Sequence, residues 1–240
     1  MSPTPLQILD DTADEDTASM PAADAPTLRR PGLLVMDVDS TLIDEEVIDE
    51  LGEAAGVGER ISAVTARAMN GELDFAQALD ARVALLEGLP VSIFDDVYRR
   101  LHFTNGALEL IDELHAHGWK VGVVSGGFHE IVDRLAESAG LDYRIANRLE
   151  VDDMSRTLTG RVAGPIVTKD VKLRAMRRWA ADNGIDADQT IAVGDGANDL
   201  PMIGEAALGI AFCAKPAVRR AAPHTIDERD LTRVLGYLRR

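Results

Sequence analysis

Asp37 and Asp39 stand two positions apart in Asp37-Val38-Asp39-Ser40-Thr41-Leu42, directly after the short apolar run at residues 33–36. If that run is a buried strand, its period of two turns both carboxylates the same way at the strand's carboxyl end, where open α/β sheets place their ligands. Two like charges so close are unfavourable unless one holds a proton or a cation lies between them, and either arrangement serves catalysis. Acidic groups recur after a second apolar run, in Gly194-Asp195-Gly196-Ala197-Asn198-Asp199. Asp37 and Asp195 are hard oxygen donors of the kind Mg²⁺ prefers, together with waters and phosphate oxygens, and Gly196 permits a tight turn. Between these segments, Ser125-Gly126-Gly127 follows a Val-rich run and precedes a helix expected near Phe128. A hydroxyl and backbone N–H groups at a helix N-terminus make an anion site. Lys172, near the start of a later amphipathic helix, supplies positive charge, with Lys169 as its near rival. Taken singly, each segment also reads as an ordinary loop or turn.

The elements that must hold these residues alternate. Residues 33–36, 119–124, 190–193 and 208–212 read as buried strands separated by helical stretches, the pattern of a parallel sheet with helices on its faces. The helix over residues 107–117 carries Leu108, Ile111 and Leu114 at helical spacing and stops before Gly118. Residues 45–104 are helical in period with no strand candidate, although they sit between two sheet strands, so they read as an inserted helical domain. The polar turn around Ser155, between Leu149-Glu150-Val151 and Leu158, predicts a hairpin.

Composition narrows the partners. The chain of 240 residues is 46% hydrophobic and carries a formal net charge of −16. That suits one main domain with a modest insertion. Nucleic acid and acidic membranes need clustered Lys and Arg, so neither is an expected partner, whereas a small anion bound by a locally positive site is compatible. Cys213 is the single cysteine, which excludes an intramolecular disulfide and favours a reducing compartment. There is no membrane-length apolar run and no signal-peptide pattern, so the expected location is cytoplasmic. Residues 1–27 are rich in Pro and Asp and contain no Lys or Arg, so they read as a disordered acidic leader.

In this order the constellation resembles the haloacid-dehalogenase-like phosphatases, and within them the phosphoserine phosphatases, over about residues 32–240. The resemblance implies a doubly wound α/β core of parallel strands over residues 28–44 and 105–240, with a helical cap over 45–104. It implies that Asp37 is a nucleophile forming an aspartyl phosphate, and that Asp39 is the acid and base for the leaving group and for water. It further implies Mg²⁺ held by Asp37, the backbone carbonyl of Asp39 and Asp195, with Asp199 orienting the shell, and Ser125, Gly126 and Lys172 sharing the phosphoryl charge. Asn198 falls at the substrate edge. In the cap, Glu46 follows Asp37 by nine positions and matches the partner of the substrate ammonium, Arg82 matches the partner of its carboxylate, and Met69 and Phe75 match apolar residues that close over the site.

The implied activity is hydrolysis of O-phospho-L-serine to L-serine and phosphate, the last step of serine biosynthesis. Phosphohomoserine or another small phosphomonoester is the nearest alternative, because one methylene discriminates by only about 1–3 kcal/mol. A phosphorylatable binding module and a noncatalytic scaffold are the alternatives of a different class, and the second aspartate and the large insertion argue against the former. Some family members carry an additional N-terminal regulatory domain, for which the leader is too short and polar. A homodimer is left open by the sequence.

Overall fold

The computed structural model describes residues 22–240. Seven strands form one sheet in the order β4-β3-β2-β1-β5-β6-β7. They are β1 (Leu33–Met36), β2 (Lys120–Phe128), β3 (Tyr143–Asp152), β4 (Thr157–Ala163), β5 (Thr190–Gly194), β6 (Leu208–Phe212) and β7 (His224–Ile226). All neighbours are parallel except β3 and β4, which form the antiparallel hairpin expected around Ser155. The strand order reverses at β1, which pairs with β2 on one side and β5 on the other, so β1 ends at a topological switch point.

The helices are α1 (Val47–Ala54), α2 (Gly58–Met69), α3 (Phe75–Val83), α4 (Ile93–Tyr98), α5 (Ala107–Ala116), α6 (His129–Ser138), α7 (Lys169–Asp182), α8 (Leu200–Glu205) and α9 (Pro216–Ala221). Alternation along the strands sets the layers. Leu34 and Met36 join Val121, Val123 and residues of α5 and α6 in one apolar cluster, whereas Leu33 and Val35 join Ala175, Met176 and Trp179 of α7 in another. Trp179 stacks on Tyr143 at 5.0 Å between ring centroids and fills the space that Gly122 leaves.

The insertion between β1 and β2 carries α1 to α4. Its buried Leu51, Ile61, Leu79 and Val97 belong to the same continuous cluster as the α5/α6 face of the sheet. Four short helices bury too little among themselves to stand apart, so they share the core they sit on. The two linkers to the insertion run side by side, with Ile43 bridging Phe103 and the Asp44 N–H donating to the His102 carbonyl at 3.0 Å.

Two expectations shift. The acidic leader expected over 1–27 falls mostly on residues 1–21, outside those described, but its last residues are docked. The Thr27 N–H donates to Gln189 Oε1 at 2.8 Å, Ala25 is buried, and Arg239 Nε donates to the Ala25 carbonyl. Composition misses this because the partners lie more than 160 residues away. The strand expected to end at Val124 instead runs to Phe128, with a register irregularity before Phe128 pairs with Asn147. Among the described residues no helix is long and apolar enough to cross a membrane.

Candidate active site

The register explains why distant segments meet. Met36 lies level with Val123 of β2 and Val193 of β5, so the residues just beyond them, Asp37, Val124-Ser125 and Gly194-Asp195, emerge together at one sheet edge. The Asp37 N–H donates to the Val193 carbonyl at 3.0 Å, which extends the ladder by one residue and fixes where its side chain leaves. After Asp37 the chain makes an irregular helical turn over Val38–Leu42, with Ser40 at φ 55°. That positive φ turns the chain toward α1 and lets the Ser40 hydroxyl donate to Glu46 Oε1 at 2.9 Å.

At the bottom of the site Lys172 is 1% exposed, with Nζ 2.7 Å from both Asp37 Oδ2 and Asp199 Oδ1. Burial alone would lower its pKa, but the two carboxylates outweigh burial and hold the ammonium charged. Lys169, its rival, is exposed at the first turn of α7. Oxygens of Asp37, Asp195 and Asp199 lie within 4.8 Å of one another. The two oxygens of Asp199 are both engaged, one by Lys172 and the other by the Gly196 N–H at 3.0 Å. Asp195 has no hydrogen-bond partner among the described residues. Burial and the charge of Asp37 push Asp195 up to about 6 and Asp199 up to about 7, the crowding that a bound cation would relieve. An all-oxygen cluster of this kind fits a hard divalent ion.

Asp39 Oδ1 accepts from the Val47 N–H at 2.9 Å and Oδ2 from the Ser125 hydroxyl at 3.2 Å. Burial, then the charges of Glu46 and Asp37, push Asp39 up to about 8. It therefore keeps its proton to higher pH than an ordinary carboxyl, in part because Asp37 lies two residues away, the kind of tuning that suits a proton donor. Helix α6 begins at His129 with Phe128 as its N-cap, as expected, and Ser125-Gly126-Gly127 run directly into it. They lie in the last part of β2, where the Gly127 N–H donates to Ser125 Oγ at 2.8 Å and the buried Asn147 side chain holds the Gly126 carbonyl at 2.8 Å.

Above this floor is a cavity of about 200 Å³ lined by Asp37, Asp39, Glu46, Phe75, Arg82, Gly126, Asp195 and Asn198, among others. It is smaller than the ~300–1,000 Å³ typical of drug-sized ligands. Helix α3 presents Phe75, Leu79 and Arg82 along one face, at spacings of four and seven, and a capping box between Asp74 and Gln77 fixes where that helix starts. Glu46 keeps exposed surface at the mouth of the cavity. Its pKa is raised by burial, with Asp37 and Asp49 adding and the Ser40 hydroxyl and Lys215 opposing. Arg82 Nε donates to the Ala78 carbonyl at 3.2 Å, and its two terminal nitrogens have no partner among the described residues.

Met69 is not brought to the cavity. It is 70% exposed at the end of α2, whose buried side is set by Ile61. Eight residues further along the helix, a side chain is turned about 80° from that side. Ser125 and Lys172 do not line the cavity but touch Asp39 and Asp37, which do. Lys215, which was not among the residues singled out from sequence, also lines the cavity after β6. Its signal was the Lys-Pro pair following an expected strand, since the residue before proline is held extended.

Residues 34–204 match the model of the family described as haloacid dehalogenase-like hydrolase. The chain belongs to this family. A phosphoserine phosphatase of Streptococcus thermophilus is 65% identical to this hydrolase over 207 residues, covering 86% of this chain and 95% of the relative. Two solved structures superpose at TM-score 0.81 and 43% identity over 88% of this hydrolase. One is described as a phospho-aspartyl intermediate analogue of phosphoserine phosphatase and is covered over its whole length, 100%. The other is a substrate-bound phosphoserine phosphatase complex, covered to 99%.

Proposed function

We propose that this hydrolase converts O-phospho-L-serine and water to L-serine and inorganic phosphate through an aspartyl phosphate on Asp37, closing serine biosynthesis. The observation that carries the reading is a pair of opposite, incompletely paired charges over a nucleophile. Glu46 has one oxygen taken by Ser40, the terminal nitrogens of Arg82 are unpartnered, and both line the cavity that opens on Asp37. An α-ammonium and an α-carboxylate answer that pair, with the guanidinium fork suited to two carboxylate oxygens.

Asp37 attacks phosphorus with a carboxylate oxygen as the bond from phosphorus to the serine oxygen breaks. Asp39 gives its proton to that departing oxygen. As a carboxylate it then takes a proton from water, whose oxygen attacks phosphorus and breaks the bond to Asp37, returning both aspartates to their starting states. Lys172 holds Asp37 in place and stabilises negative charge at the floor. Ser125 orients Asp39, and Gly126 and Asn198 meet the phosphoryl group and the substrate edge. Phe75 gives an apolar wall that helps to exclude water. Mg²⁺, held by Asp37, Asp195 and the Asp39 carbonyl, would neutralise charge on the phosphoryl oxygens when bound. Asp199 fixes Lys172 and the Gly196 turn.

The test is phosphate release from O-phospho-L-serine and O-phosphohomoserine, with Mg²⁺ and with chelator. A strong, Mg²⁺-dependent preference for phosphoserine is expected. Equal rates on the two substrates would remove the assignment of serine while leaving the phosphatase.

A further inference from the structure

Lys215 stands where an acidic protein most needs a cation, and none of the roles above uses it. It follows Cys213, a non-glycine residue at φ 45°, at the carboxyl end of β6. The bend there is held by the Cys213 N–H, which donates to the Ile226 carbonyl at 2.8 Å. Lys215 itself is extended, at φ −61° and ψ 150°, as the following Pro216 requires. This pair of constraints carries the side chain out of the sheet edge and over the cavity, whose wall it shares with Glu46, Asp195 and Asn198.

Lys215 is exposed, and its ammonium makes no hydrogen bond or ion pair with any described residue; only its carbonyl is engaged, by the Val218 and Arg219 N–H groups of α9. Its charge nevertheless reaches the site, where it opposes the upward shift that burial and neighbouring carboxylates impose on Glu46 and Asp195. A phosphomonoester dianion approaching this mouth meets a chain of net charge −16 with Glu46 at the rim and Asp195 and Asp37 beyond it. Lys172 cannot attract it from outside, because that ammonium is buried and already matched by two carboxylates. Arg82 lies across the cavity on α3. An unpaired, exposed ammonium on the core side of the rim is the group placed to offset the repulsive carboxylates at short range, where salt screens least.

We propose that Lys215 is the capture residue for the phosphate dianion: it draws the phosphomonoester past Glu46 and Asp195 and hands it to the buried floor. The proposal deepens the phosphatase reading and rests on it, but it concerns the phosphate and not the serine end of the substrate.

The experiment measures kcat and KM for O-phospho-L-serine and for an aryl phosphate, at ionic strengths from about 0.02 to 0.5 M, where the Debye length shrinks from tens of ångströms to a few. It compares wild type with Lys215→Gln, Lys215→Arg and Arg174→Gln. The last removes the same charge from an exposed position outside the cavity. Lys215→Gln is expected to lower kcat/KM about tenfold at low salt on both substrates. The loss falls mainly on KM, shrinks as salt rises, is largely rescued by Arg, and is absent in Arg174→Gln. Unchanged kcat/KM and salt slope in Lys215→Gln would overturn the proposal, as would an equal fall in kcat and kcat/KM at every ionic strength, which marks a role confined to the transition state. If wild type cleaves the aryl phosphate but not phosphoserine, the substrate reading fails while the aryl phosphate series still decides Lys215.

Discussion

Lys172 Nζ lies 2.7 Å from Asp37 Oδ2, with both side chains almost wholly shut from solvent. A buried pair of this kind is not retained for stability alone, since apolar residues of like size often do as well, but removing one partner strands the other. Lys172→Met leaves Asp37 and Asp199 facing each other without a cation. Urea unfolding should show a loss of about 3–5 kcal/mol. Adding Asp199→Asn should recover part of it, because neighbours in one network are not additive.

Asp39 is raised to about 8, so the form that donates a proton to the serine oxygen predominates below that pH and is lost above it. Single-turnover release of serine should therefore fall as pH rises through about 8. Asp39→Asn should lose the alkaline limb and about 10²–10⁴-fold in rate on phosphoserine. Phosphorylation of Asp37 by an aryl phosphate, whose leaving group needs little protonation, should suffer much less in rapid-quench measurements.

Arg82 places an unpartnered guanidinium fork over the cavity. Arg82→Ala should reduce kcat/KM on phosphoserine by about 30-fold or more, the cost of about 2 kcal/mol or greater expected for a lost charge-assisted contact. An aryl phosphate, with no α-carboxylate, should be nearly unaffected. Equal losses on the two would show that Arg82 serves the phosphate or the fold instead.

The Asp195 carboxylate is free to bind an ion. With Mg²⁺ at a hundredfold excess over its dissociation constant, mass action predicts about 2.7 kcal/mol of added stability, or about 5–10 °C in Tm for a chain of this size. Chelator should reverse the shift, and Asp195→Asn should abolish it, a readout independent of turnover.

Away from the site, Asp142 accepts from Lys120 Nζ at 2.6 Å, from the Val121 N–H at 2.9 Å and pairs with His115 at 3.0 Å. Burial pushes its pKa up, but these donors outweigh burial and hold it below the usual value. A depressed carboxyl pKa contributes stability that is present above the unfolded value and is lost as pH falls through the folded one. Asp142→Asn should thus melt about 2–4 °C below wild type at pH 7, for a part-exposed network of about 1 kcal/mol. The gap should close in scans carried below about pH 4.

What was legible in the sequence was what repeats locally. The strand at residues 33–36 and the one at 208–212 announced themselves as apolar runs with sharp ends, and both carboxylates of Asp37-Val38-Asp39 followed from a period of two. Glu46 and Arg82 were found by resemblance, because a helix-start acid and a helical arginine have nothing local to distinguish them.

Distance in the chain hid the rest. Only the packing of α7 under β1 decides that Lys172 is buried against Asp37 while Lys169, three residues earlier, stays in solvent. The extension of β2 through Ser125-Gly126-Gly127 depends on Asn147, whose amide reaches back to Gly126 across the strand pair. The rotation of α2 that leaves Met69 outside, and the bend after β6 that brings Lys215 in, follow from contacts with other elements. The sequence by itself determined the elements and the chemical groups they carry, since propensity and periodicity act between near neighbours. The tertiary structure alone decided which groups face one another and which lose their water, and burial and proximity are what set their charges.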